Sequence, residues 1–165
     1  MIRGPLDLPN WVWALIGAGW LSGSLFAPRT PSHRTPPVDD ATARQGAKLV
    51  MALGVVLALG AASLELTFGL ALSPAAAMVV MVPPVLAGSV LLWRTACYHR
   101  RIEGMVLTQG DVSPDAPPHI LRSLIRLLRW LLILFAFAAP IHALLGYVFA
   151  GYYMVFPSIL TLGLI

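Results

Sequence analysis

Apolar residues run in long stretches along this chain, and most of the polar ones are gathered between them. The stretches cover residues 11–27, 48–72, 75–93, 127–149 and 152–165. A helix needs roughly 20 apolar residues to cross a hydrocarbon core about 30 Å thick. The first four stretches meet or approach that length, the first being the shortest. The pattern predicts an all-α integral membrane helical bundle, one domain with four transmembrane helices. Residues 152–165 rise only about 21 Å as a helix. They suit a half-helix, an interfacial segment, or a fifth span packed against partner subunits.

The connectors carry the punctuation. Residues 28–40 (PRTPSHRTPPVDD) hold four prolines, which keep a chain extended. Asp39 or Asp40 can cap the next helix, because a carboxylate satisfies the free amides of a first helical turn. Ser73-Pro74 predicts a sharp turn with Pro74 in the first helical position. Residues 102–118 form the longest polar loop, and their alternation suggests a small hairpin around Gln109-Gly110. A helix then restarts near Pro118. His119, Arg122, Arg126 and Arg129 follow at spacings of three or four and form one basic stripe on it.

Composition removes whole classes. Hydrophobic residues make up 58% of the 165 and charged residues 11%, where soluble domains carry about 45–50% and about 25%. Mean hydropathy is +0.81. A soluble enzyme, a disordered tail and a disulfide-stapled secreted module are excluded, and the lone Cys97 can form no internal bridge. The net charge of +4 does not point to nucleic acid, because of where the charge sits. Ten of eleven basic residues fall in 29–48 and 94–129, the positive-inside signature of short loops beside spans. Loops 28–47 and 94–126 are therefore expected in the cytoplasm of a cell with a bacterial-type inner membrane, and the N-terminus outside. Residues 11–27 read as a retained helix and not a cleaved leader, since the basic cluster follows them. Trp93 and Trp130 are expected on the inner aromatic belt. Trp11, Trp13, Tyr147, Tyr152 and Tyr153 are expected on the outer one.

Few residues carry candidate chemistry. Glu65 is the only acid within an apolar stretch, which makes it a candidate for an ion or substrate pathway. It also suits an interfacial carboxylate with a structural hydrogen bond. Pro83-Pro84 predicts a kink or break in the third span, and broken helices line transporter sites. His142, two residues after Pro140, can bond a nearby carbonyl or lie near a haem or quinone. No second intramembrane histidine is at hand for bis-His ligation. Gly19 and Gly23 form a GxxxG in the first span, and Gly54, Ala58 and Ala62 line the second. Both sets predict close helix packing. Arg100, Arg101, Arg122, Arg126 and Arg129 are candidate ligands of anionic lipid head groups. Cys97 beside His99 lacks the fixed third group that a nucleophilic pair needs. Asp39-Asp40 with Arg44 lacks the further paired aspartates of a metal-dependent phosphotransferase. There is no CxxC, HExxH, GxSxG or P-loop.

These features lead to the expectation of a non-catalytic accessory, scaffold or assembly subunit of a larger membrane complex. Its partners would be the bilayer with its anionic lipids, and other membrane subunits or a second copy. No cofactor is specified. One alternative is a small oligomeric transporter or channel using Glu65 and the Pro83-Pro84 break. Another is an electron-transfer anchor with His142 near haem or quinone.

Overall fold

A computed structural model describes residues 8–26, 39–110 and 119–155. Residues 28–38 of the first proposed loop, 111–118 of the second, and 156–165 of the tail lie outside these. The described residues form five helices and no strand: α1 (Asn10–Phe26), α2 (Asp40–Gly69), α3 (Pro74–Gly110), α4 (His119–Leu144) and α5 (Val148–Tyr153). Three segments are long and apolar enough to cross a membrane: Asp40–Gly69, Pro74–Gly104 and Ser123–Leu144. The 17 residues of α1 rise about 26 Å and fall short of that length. Three spans, not four, meet the criterion.

Helix ends follow local chemistry. Asp39 caps α2, its carboxylate accepting from the Thr42 amide at 3.4 Å. Hydrogen bonding from Thr42 holds this carboxyl below its ordinary value of 3.8, outweighing slight desolvation. Ser73 caps α3, accepting from the Ala76 amide at 3.3 Å, and Pro74 takes the first helical position. Two helices end in Schellman turns, which return orphan carbonyls to donors beyond the helix. In α4, Tyr147 donates to the His142 carbonyl (2.8 Å) and Gly146 to that of Ala143 (3.2 Å). Gly146 has φ +93°, a conformation open to glycine. In α2, Leu72 donates to the Thr67 carbonyl and Ala71 to that of Phe68. Ala71 holds the left-handed position at φ 47°, which strains its Cβ.

Two expectations are corrected along α3. Residues 104–110 continue the helix and form no strand of a hairpin. The glycines there sit within a helix already propagating, so each added residue gains an intrahelical bond. Of the kink or break expected at Pro83-Pro84, the break is not found, since both residues lie inside a continuous helix. The prolines remove only the donors to the Val79 and Val80 carbonyls. Breaking a 37-residue helix in an apolar environment would expose many more backbone groups.

Adjacent long helices run antiparallel. α1 packs on α2 through Ala18, Ser22 and Phe26, and the Ser22 hydroxyl donates to the Ala47 carbonyl. Gly54 meets Ala18, and Gly46 faces the rings of Phe26 and Tyr98. The Tyr98 hydroxyl donates to the Thr42 carbonyl at 3.2 Å, joining α3 to the start of α2. After the Gly146 turn, the chain folds back into the bundle. Gly151 lies against the Ala139 carbonyl, Tyr152 fills the hollow at Gly60, and Val155 fills that at Gly88. The beginning of the apolar tail is thus covered by its own chain.

Tyr152 does not join an interfacial belt. It is 1% exposed, and its hydroxyl donates to the Leu57 carbonyl at 2.8 Å. The absent side chain at Gly60 makes room for the ring. The second lone pair of a helical carbonyl satisfies the hydroxyl.

Candidate functional site: grooves at the two ends of the bundle

At one end, the first amides of α1 have no acceptor within their own helix. Glu65, late in α2, supplies one, accepting from the Asn10 amide at 3.1 Å. Its negative charge also meets the positive end of the α1 dipole. The carboxylate is exposed and borders a groove of about 620 Å³ that Trp13, Phe68, Tyr152 and Tyr153 also line. Glu65 therefore holds two antiparallel helices in register. Neither Pro83 nor Pro84 lines this groove. Pro84 is buried and Pro83 exposed, and the structure does not bring them together with Glu65 in a pathway.

His142 is half-buried near the same end, and its Nδ1 lies 2.8 Å from the Ala138 carbonyl. A carbonyl only accepts, so Nδ1 carries the hydrogen. The carbonyl deprived of its donor by Pro140 is that of Ala136, a different one. Among the described residues, no group of three or more His, Cys, Asp or Glu side chains is placed to hold a metal ion.

The opposite end carries arginines of α3 and α4, and three of them, Arg101, Arg126 and Arg129, are engaged by the protein. Glu103 of α3 has a side chain only 12% exposed, and it pairs with Arg129 and, at 3.4 Å, with Arg126 of α4. Arg101 donates to Gln45 of α2 at 3.2 Å. The side chain of Arg122 lies outside the described part. The expected basic stripe is thus partly neutralised: one carboxylate faces two of its cations. His99 lies within the bundle, fully buried, with Nδ1 2.9 Å from the Thr95 carbonyl. Its spacing from Leu92 and Ile102, seven before and three after, was the signal that it shares their buried face.

Between α3 and α4 at this end lies a groove of about 360 Å³, bounded by Trp93, Cys97, Arg100, Arg129, Trp130 and neighbouring aliphatic residues. The Trp93 ring meets Phe137 edge-on at 5.8 Å. The Arg129 guanidinium sits 5.9 Å from the Trp130 ring centre, within cation–π range. Arg100 has no carboxylate partner among the described residues. Sequence reading placed these tryptophans and arginines near one interface but missed that they form a single groove. Only the antiparallel pairing of α3 and α4 brings them together.

The small residues divide sharply. Gly54 and Ala58 are buried and Ala62 half-buried on α2. Gly19 and Gly23 are exposed, with nothing within 4 Å of where a Cβ would stand. Among the described residues, the close contact expected of this GxxxG is not made, because α1 turns Ala18 and Ser22 toward α2 instead. The chain matches no protein-family model, no curated protein and no solved structure.

Proposed function

We propose that this chain is a non-catalytic accessory, scaffold or assembly subunit of a larger complex in a bacterial-type inner membrane. One observation carries the reading. The Gly19/Gly23 face of α1 is shaped for close helix approach and is left uncovered by the described residues, beside Trp20 at 69% exposure. Glycines at i and i+4 let a second backbone come near enough for dispersion and weak Cα–H hydrogen bonds. The engagement of the polar groups supports the same view. Glu65 holds α1, Glu103 holds α4, and His142 bonds within its own helix.

In this reading α1 is a fourth span, its shortness matched by its place alongside α2. The arginine end faces the cytoplasm by the positive-inside rule, so Glu65 and the start of α1 lie on the outer side. Extraction from native membranes in mild detergent should yield a species far above 17.7 kDa containing other chains. A monomer, or an assembly of this chain alone, would overturn the proposal. Conductance or flux that requires the Glu65 charge, lost in Glu65→Gln with the assembly intact, would favour a transport role instead.

A further inference from the structure

The groove between α3 and α4 has a polarity along its length. On α3, Trp93, Ala96, Cys97 and Arg100 line it, at steps of three, one and three that keep to one helical face. The run passes from aromatic to cationic over about 10 Å. The antiparallel α4 repeats the order, with Ile133 beside the apolar part and Arg129 at the charged end. Trp93 and Trp130 are half-exposed on its rim, so the groove opens toward whatever surrounds the bundle.

We infer that this groove binds one anionic phospholipid, with its phosphate between Arg100 and Arg129 and the upper part of an acyl chain along Trp93 and Ile133. Three observations select that occupant. Among the described residues, two guanidiniums and no carboxylate line the groove, and the nearby Glu103 is already shared by Arg126 and Arg129. Arg100, with no carboxylate partner among the described residues, remains available, and guanidinium binds phosphate in a fork. The walls next to these charges are apolar and contiguous with helices long enough to cross a membrane. A soluble anion would use the cations and leave the tryptophans without a role. A neutral lipid would leave Arg100 without a counter-charge among the described residues. This is a specific seat, distinct from the diffuse attraction of a basic surface to an anionic leaflet.

Cys97 lines the groove, is exposed, and is the only cysteine of the chain, so its reactivity reports occupancy. The full chain is placed in micelles of neutral detergent carrying equal mole fractions of phosphatidylglycerol or phosphatidylcholine. The rate of Cys97 alkylation by N-ethylmaleimide is read, each variant being normalised to its own rate with phosphatidylcholine. Phosphatidylglycerol should slow the reaction about fivefold, the scale of one arginine beside an anionic head group. Arg100→Gln should abolish the slowing and Arg100→Lys retain part of it. Arg101→Gln should keep all of it, because that side chain bonds Gln45 outside the groove. The inference is overturned if phosphatidylglycerol does not slow the reaction, or if both lipids slow it equally. Slowing that persists in Arg100→Gln, or vanishes equally in Arg101→Gln, also overturns it, since either means only the micelle surface potential is at work.

Discussion

α1 and α2 are neighbouring apolar helices, both marked by glycine, and the chain fills three glycines of α2 while it leaves those of α1, and Gly69 at the end of α2, open among the described residues. Along α2, Gly46 receives Phe26 and Tyr98, Gly54 receives Ala18, and Gly60 receives Tyr152. Along α1, Gly19 and Gly23 receive none of the described residues. The spacing that suggests packing is present in both helices. What separates them is rotation. α1 is turned so that Phe26 enters the Gly46 hollow and Ser22 reaches the Ala47 carbonyl. A surrounding of lipid tails gives little hydrophobic reward for helix contact, so close fit and buried hydrogen bonds decide the rotation. The glycines left outside this contact are then the α1 surface on which the proposed partner chain would pack.

The largest expected effect is on the filled side. Gly60→Ala places a methyl inside the Tyr152 ring position and should destabilise the bundle by about 2–3 kcal/mol through overpacking. Thermal unfolding in detergent measures this. In a double-mutant cycle, Tyr152→Ala should remove most of the Gly60→Ala penalty. Additive losses would mean that the ring does not occupy this hollow.

The α1–α2 contact can be weakened from its charged end. Glu65→Ala removes the acceptor for the Asn10 amide and should cost about 1 kcal/mol, the usual scale of a lost helix cap. Glu65→Gln keeps an acceptor oxygen and should cost less. Faster hydrogen exchange at the start of α1, with α2 unchanged, would locate the loss. Equal losses in the two variants would show that charge, not the hydrogen bond, holds the helices.

At the end of α2, Ala71→Gly should stabilise the chain by about 0.5–1 kcal/mol, by relieving a left-handed Cβ. A fall in melting temperature would contradict the Schellman turn there. At its start, the lowered pKa of Asp39 gives a pH dependence of known sign. The folded value lies below the ordinary 3.8, so the stability this cap contributes is present above that value. It is lost as pH falls through the lower folded value. Hydrogen exchange at Thr42 should lose protection only in acid below about pH 4.

The smallest expected effect on the isolated chain is the most informative for the comparison. Gly19→Ala with Gly23→Ala should change its stability by no more than about 0.5 kcal/mol, since nothing stands within 4 Å. The same pair should sharply reduce co-purification of partner chains from native membranes. Unaltered co-purification would mean that these glycines face only lipid.

Much of the architecture was legible from residue order. The apolar stretches mark the helices, and Asp39 and Ser73-Pro74 mark where two of them begin. The candidate sites were less so. Arg126 and Arg129 read as a free basic stripe because their carboxylate, Glu103, lies 23 and 26 residues away. Pro83-Pro84 read as a kink or break, and the break is not found because local propensity omits what a long helix would lose by breaking. Tyr152 read as a belt residue because nothing near it in sequence announces the hollow at Gly60, 92 positions earlier.

By itself, the order of residues determined that this is an all-helical chain with helices suited to a membrane and its basic residues concentrated in two stretches, 29–48 and 94–129. Those properties are sums over neighbouring residues, and hydropathy and charge add up locally. Only the tertiary structure decided which glycines are filled, which arginines are neutralised, and that α3 and α4 share a groove between two tryptophans. Those outcomes depend on how each helix is rotated about its axis and set against its neighbour. That choice is made by the fit of side chains far apart in the chain.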